Sequence, residues 1–310
     1  MATKKKMLQA AAGVGGNEGA WDLSYAYFDD PFAWDLSTAV YSGKSFSLAT
    51  YHTFSTGLFF KPDGTAMYTI ADVQNEVREW SLSTAWDVNT ASNFGRTIIS
   101  SQDTDPQGVS FKPDGTKMYI VGYSSDSVHE YNLSTAWTVS TASFSQSFSV
   151  AAQSTNPTGI FFKPDGTKLY VIDTNQRDVY EYDLSTAWDI SSSSYLQSFN
   201  TGFSITQLED LSISDDGLTM FILARNGDKV AEYSLSTAWD ISSSSYVAEF
   251  AVGAQEVAVR GLFVKGDGSN MYVVGNGSNT VYQYILGGFS VSAQDTFPYN
   301  MAFKPDGTKM

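Results

Sequence analysis

Short apolar runs separated by polar turns recur along most of this chain, and the stretch from Gly159 to Glu209 shows the unit. Gly159-Ile160-Phe161-Phe162 is apolar, and Lys163-Pro164-Asp165-Gly166-Thr167 follows as a turn. Proline presets φ there, aspartate bonds the local backbone, and glycine accepts positive φ. Lys168 to Asp173 is a second β-rich run, Thr174 to Asp178 is polar, and Val179 to Leu184 is a third run. Ser185-Thr186-Ala187-Trp188 breaks the pattern, and Tyr195 to Phe199 reads as a fourth strand. The runs are apolar on both faces, as expected of a sheet covered on each side by a neighbour. The pattern predicts four short antiparallel strands per unit and no long helix.

The unit repeats. The turn aspartates Asp63, Asp114, Asp165, Asp216 and Asp267 are 51 residues apart, and Asp306 follows after 39. A fixed period of this size means stacked copies of one supersecondary unit, and four-stranded copies mean propeller blades. Residues 1–19 are expected to be a flexible arm and 20–310 a single all-β propeller domain of six blades. The blades are placed near 56–106, 107–157, 158–208, 209–259 and 260–298. The sixth is assembled from 20–50 plus 299–310, so that N- and C-terminal strands share one blade and close the ring without a free edge.

The formal charge is −15, and Lys4, Lys5 and Lys6 of the arm leave the body more acidic still. An acidic body repels phosphate, which argues against nucleic acid as a partner. Cysteine is absent and no apolar run reaches the length of a membrane span, so neither disulfides nor membrane insertion is expected.

The two faces of the disc differ. Lys-Pro-Asp-Gly-Thr first turns and Leu-Ser-Thr-Ala-Trp third turns are nearly uniform, whereas the second turns and blade links vary. Asymmetric ligands need asymmetric surfaces, which places binding on the varied face. Trp86, Trp137, Trp188 and Trp239 are spaced evenly and read as packing pegs. The first positions of the inner strands align as Thr56, Gln107, Thr158, Glu209, Arg260 and Tyr299, followed by Gly57, Gly108, Gly159, Asp210, Gly261 and Asn300. The candidate binding residues are therefore Gln107, Tyr123, Arg177, Glu209, Asp210, Arg225, Arg260, Tyr299 and Asn300. A Glu209–Arg260 ion pair is the expected arrangement; the alternative is that Glu209, Asp210 and Asn300 hold a divalent cation such as calcium. His52 and His129 lie away from the channel and no nucleophile–base set stands out, so no catalytic residues are assigned and no cofactor is expected.

The segment Phe-Lys-Pro-Asp-Gly-Thr-Lys-Leu-Tyr-Val at 162–171 resembles the repeat of lactonase-like propellers, the "YVTN" group. The related gluconolactonase-like propellers hold a divalent cation in the channel, which would engage Glu209 or Asp210 with Asn300. Residues 1–13, and the Leu-Ser-Thr-Ala-Trp-Asp repeat, are similar to structural proteins of marine tailed phages. That second resemblance implies a non-enzymatic virion protein of a tail, fibre or capsid surface. Lys4, Lys5, Lys6, Met7 and Leu8 would dock it on other virion proteins, and the varied face would meet a host-surface receptor or a virion partner. A metal-dependent lactonase-like hydrolase and a cellular scaffold propeller are the alternatives.

Overall fold

The computed structural model describes residues 34–202 and 204–286. A strand near the start of this range, β1 (Val40–Ser47), is followed by four sequential blades. These are β2 (Ser55–Phe60), β3 (Ala66–Ala71), β4 (Glu76–Leu82) and β5 (Ala91–Ile98), then β6 (Pro106–Phe111), β7 (Lys117–Gly122), β8 (Ser127–Leu133) and β9 (Ala142–Ser149). Next come β10 (Pro157–Phe162), β11 (Lys168–Asp173), β12 (Asp178–Leu184) and β13 (Ser193–Asn200), then β14 (Leu208–Ile213), β15 (Thr219–Ala224), β16 (Lys229–Leu235) and β17 (Ser244–Ala251). The last strands are β18 (Val259–Val264), β19 (Asn270–Gly275) and β20 (Thr280–Ile285). Each blade is an antiparallel four-stranded sheet, and the fifth takes β1 as its outer strand, in the order β1-β20-β19-β18.

The described residues therefore close a ring of five blades, not the six expected from counting turns. Neighbouring inner strands touch all the way round, with β18 packed on both β2 and β14. The reason lies in the third turn. After Leu286 the sequence lacks the Ser-Thr-Ala-Trp that precedes an outer strand elsewhere, and Trp34 to Ala39, the counterpart of Trp86 to Ala91, leads into an outer strand in its place. Val40 pairs with Ile285 and Ser47 with Thr280, so the N-terminal segment completes the fifth blade. The expected pairing of this segment with 299–310, like the arm and residues 287–298, lies outside the described residues.

Burial follows strand position. Strands β3, β7, β11, β15 and β19 are buried along nearly their whole length, whereas the outer strands β5, β9, β13 and β17 alternate between half-buried and exposed. An inner strand has a blade on each side; an outer strand has water on one.

One interlock repeats round the ring. Each Trp of the third turn has positive φ and lies flat on the glycine of its own blade's first turn: Trp86 on Gly64, Trp137 on Gly115, Trp188 on Gly166, Trp239 on Gly217 and Trp34 on Gly268. The carbonyl of that Trp accepts a hydrogen bond from a buried tyrosine of the preceding blade. The pairs are Tyr68 to Trp137 at 2.8 Å, Tyr119 to Trp188 at 2.7 Å, Tyr170 to Trp239 at 2.7 Å and Tyr272 to Trp86 at 2.9 Å. In the fourth blade the tyrosine is Phe221, which stacks on Trp34 at 6.0 Å instead. Burying one such ring contributes about 1.5–3 kcal/mol, so five interlocks account for much of the cohesion between blades.

Gly166→Ala should lower unfolding free energy by about 2 kcal/mol or more, because a Cβ there would lie 2.3 Å from the Trp188 ring at a φ of +75°. Gly43→Ala, at a φ of +80° but with no atom within 4 Å, should cost only about 1 kcal/mol. Equilibrium urea unfolding of the two variants measures the difference.

Candidate functional site

Three positions in every blade meet at the mouth of the channel, on the face of the varied loops. The first precedes the inner strand: Phe54, Asp105, Asn156, Gln207 and Ala258. The second lies just inside it: Thr56, Gln107, Thr158, Glu209 and Arg260. The third opens the second turn: Asp72, Tyr123, Thr174, Arg225 and Asn276. In each blade the N–H of the third position donates to the carbonyl of the first, as from Asp72 to Phe54 at 2.9 Å and from Arg225 to Gln207 at 3.0 Å. The second position sits at a register break of the inner strand: pairing passes from Pro106 to Gly108, from Pro157 to Gly159, from Leu208 to Asp210 and from Val259 to Gly261. Such a bulge re-aims the extra side chain. Invariant backbone geometry thus presents a different set of side chains from each blade.

Glycine after the bulge lets the inner strands approach closely. A Cβ at Gly57 would lie 2.8 Å from the Gln107 carbonyl oxygen, and one at Gly261 would lie 2.4 Å from that of Thr56. Asp210 takes this place in the fourth blade. Its carboxyl is buried and accepts from the N–H of Leu262 on the next blade and from that of Leu211, both at 2.9 Å. Burial pushes its pKa well up, only partly opposed by those two donors.

The cavity at the mouth has a volume of about 330 Å³ and is lined by Phe54, Asp72, Asp105, Gln107, Tyr123, Thr158, Thr174, Asn175, Arg225 and Arg260. Glu209 lies behind the two arginines. Arg260 Nη1 donates to Glu209 Oε2 at 3.0 Å. Arg225 Nε stands 3.2 Å from Oε1, close enough for charge pairing but off the line of a hydrogen bond. Burial pushes the Glu209 carboxyl up to about 7, against the pull of Arg260 and Arg225. The Arg260 guanidinium also covers the Phe54 ring at 5.0 Å, a contact that holds the cation in place.

Asp72 and Asp105 both line the cavity, near enough for one carboxyl to act on the other. Burial, followed by the neighbouring Asp105 charge, pushes Asp72 up to about 7. A carboxyl raised to about 7 beside a second carboxyl keeps its proton in part at neutral pH. Asp105 also accepts from the Gln107 amide, and the Tyr123 hydroxyl donates to Asn156, which in turn accepts from Asn175 at 2.7 Å.

Of the residues singled out from the sequence, Gln107, Tyr123, Arg225 and Arg260 line the cavity, Glu209 braces the arginines and Asp210 is buried beneath them. Arg177 lies on the second turn of its blade and is not a cavity wall. Tyr299, Asn300, Lys4, Lys5, Lys6, Met7 and Leu8 lie outside the described residues. Glu209 and Asp210 are committed to arginines and backbone N–H groups, and among the described residues no three His, Cys, Asp or Glu side chains converge as a metal-binding group. The sequence reading overlooked Asp72 and Asp105. The signal was present, since Asp72 occupies the repeat position of the selected Tyr123 and Arg225, and Asp105 stands two residues before the selected Gln107.

The histidines hold loops. His129 bonds Ser125 Oγ at 2.9 Å through Nε2 and Ser147 Oγ at 2.8 Å through Nδ1, while Asp103 is 3.8 Å from Nε2. In a hydrolase triad an acid hydrogen-bonds the nitrogen opposite the serine; here both nitrogens are taken by serines and Asp103 stands at 3.8 Å, beyond hydrogen-bond distance, so no acid orients the ring in that way. His52 bonds Ser55, and burial, assisted by Arg78, pushes its pKa down to about 3.

The family described as "Lactonase, 7-bladed beta-propeller" matches residues 100–287. No curated protein matches the chain. Among solved structures, a protein of unknown function from Desulfotomaculum acetoxidans is 16% identical, over 73% of this chain and 67% of that one, with a TM-score of 0.46. A candidate 6-phosphogluconolactonase from Bacteroides fragilis is 13% identical, over 71% of this chain and 76% of that one, with a TM-score of 0.48. At TM-scores under 0.5 these likenesses bear no argument about activity. The family description gives seven blades where the described residues here form five.

The family match overturns the reading of a non-enzymatic virion structural protein, because it names a family of enzymes across more than half of the chain. The phage resemblance rested mainly on thirteen residues of low complexity, and nothing in the comparisons shows a phage or marine origin. The lactonase-like alternative is the one they back.

A carboxyl raised in the folded state makes folding less favourable as pH rises, because the native protein keeps a proton that the unfolded chain has released. For Asp72 the window runs from its ordinary value of 3.8 to about 7. Asp72→Asn should therefore be more stable relative to wild type at pH 8 than at pH 4, as urea midpoints across that range would show; an unchanged difference would mean that Asp72 titrates normally.

Proposed function

Because the chain belongs to the lactonase family of β-propellers, we propose that it hydrolyses lactones in the cavity at the channel mouth. The observation that carries the reading is the meeting, in one cavity, of a carboxyl pair, Asp72 and Asp105, with the cations Arg225 and Arg260. A volume of about 330 Å³ accommodates a small ring compound.

Ring opening needs a base, an acid and a site for developing negative charge. A pair holding one proton supplies the first two. Water attacks the lactone carbonyl carbon and its proton passes to the ionised carboxylate of the pair. The carbonyl electrons move to oxygen, and the resulting oxyanion is held by the guanidinium groups. Collapse breaks the bond to the ring oxygen, which takes the pair's other proton and leaves as a hydroxyl. The pair is back in its single-proton state once the ring oxygen is protonated, and the product, the open hydroxy acid, releases its carboxyl proton to solvent. Glu209 positions both arginines, and Phe54 fixes Arg260 from the apolar side. The sequence uses side chains alone.

Acid release from a panel of γ- and δ-lactones, followed in a pH-stat, tests this. Wild type should open at least one of them well above the buffer rate, and dialysis against EDTA should leave that rate unchanged. Asp72→Asn should lower kcat by about 10²-fold or more, and Arg260→Gln should impair both kcat and KM. The enzymatic rate should fall as pH rises through about 7, where Asp72 gives up its proton. A panel opened no faster than in buffer, or full activity in Asp72→Asn, would overturn the proposal.

A further inference from the structure

A second cavity, of about 490 Å³, opens beside the outer strand of the fourth blade and shares no residue with the first. Its walls are Thr201, Ser204, Ile205, Lys229, Tyr233, Tyr246 and Glu249. The internal repeat explains its origin. At the position of Ser204 the other links carry Tyr51, Gln102, Gln153 and Gln255. In three blades the glutamine carbonyl accepts a hydrogen bond from a buried tyrosine: Tyr131 to Gln102 at 3.2 Å, Tyr182 to Gln153 at 3.4 Å and Tyr284 to Gln255 at 3.3 Å. In the remaining copy Tyr51 packs edge-on against Trp80 at 5.3 Å. Ser204 is too short for either role.

Tyr233, the matching tyrosine, is 2% exposed, and its buried hydroxyl has no hydrogen-bond partner among the described residues. A second change lies at the same link. Leu48, Ile99, Val150 and Val252 are fully buried at the position that Thr201 occupies half-buried here. A buried hydroxyl without a partner costs about 1–3 kcal/mol, so the site is short of an acceptor.

We infer that this cavity binds a small polar molecule through an amide carbonyl, which takes the place that glutamine side chains fill in the other blades. The Tyr233 hydroxyl donates to the carbonyl, and Ile205 offers an apolar wall to the adjoining carbon. The half-exposed Tyr246 ring and the Lys229–Glu249 ion pair, 2.8 Å apart, face the remainder of the ligand. Opposite charges side by side suit a group that donates and accepts at once. Both the ammonium and carboxylate of a free amino-acid amide and the adjacent hydroxyls of an acetamido sugar meet that requirement.

The full chain is titrated by calorimetry and saturation-transfer NMR with acetamide, L-glutamine and N-acetylglucosamine. L-Norvaline and glucose serve as counterparts lacking the amide. At least one amide should bind saturably and its counterpart at least about tenfold more weakly, the equivalent of one hydrogen bond. Glutamine alone identifies an amino-acid amide, and N-acetylglucosamine alone an acetamido sugar. Tyr233→Phe, which keeps the ring, should weaken binding by a similar factor. Ser204→Gln should abolish binding and raise Tm by restoring the internal partner. Absence of saturable binding by all three amides, as a water-filled cavity would give, overturns the inference. So does unchanged affinity in Tyr233→Phe, which decides the matter even where Ser204→Gln does not fold.

Discussion

The structure depends on the tryptophan that lies on the first-turn glycine and offers its carbonyl to the tyrosine of the preceding blade. This one residue joins two constraints. Its ring occupies the space a Cβ would need at Gly64, Gly115, Gly166, Gly217 or Gly268, and its carbonyl meets the preceding blade. Four tyrosine hydroxyls reach those carbonyls at 2.7–2.9 Å, and each is buried where an unmade bond would be costly. The angle between blades is therefore fixed by a repeated local contact.

Because that interlock sits with the uniform turns, the opposite face is free to vary. A backbone bond from each second turn to the residue before the inner strand, together with a bulge just inside it, recurs from blade to blade. Chemistry enters only through the side chains placed on that constant frame. Arg225 and Arg260 come from adjacent blades and are joined by Glu209, while Asp72 and Asp105 come from two further adjacent blades and line the same cavity. The two cations are balanced by the carboxylate between them, whereas Asp72 answers burial and the neighbouring Asp105 by holding its proton up to about pH 7. The same logic applies at the rim, where the change from glutamine to Ser204 removes an acceptor while leaving the tyrosine that needs it.

Much of this was legible from residues alone. The Pro-Asp-Gly turns marked the blades, the even tryptophans read as pegs, and aligning the repeats placed Gln107, Glu209 and Arg260 at one level of the channel. Asp72 and Asp105 escaped notice because each looks like an ordinary turn or link residue within its own repeat. Their meeting involves two blades, and a carboxyl's affinity for its proton depends on burial and on the neighbouring charge, neither of which is local. The blade count failed for a related reason. Six turns imply six blades, whereas the described residues hold five third-turn tryptophans, Trp34 included, each lying on the glycine of a first turn.

The sequence by itself determined the period, the four-stranded blade and the contrast between a constant and a varied face, because turn chemistry and strand alternation act within a few residues. Tertiary structure alone decided that β1 completes the blade of β18 to β20, that the ring of described residues closes at five, and which side chains share a cavity. Those outcomes rest on contacts between distant segments. The free edge of β20 accepts whichever strand offers matching hydrogen bonds, and a ring closes only when the packing angle between blades allows the last to meet the first.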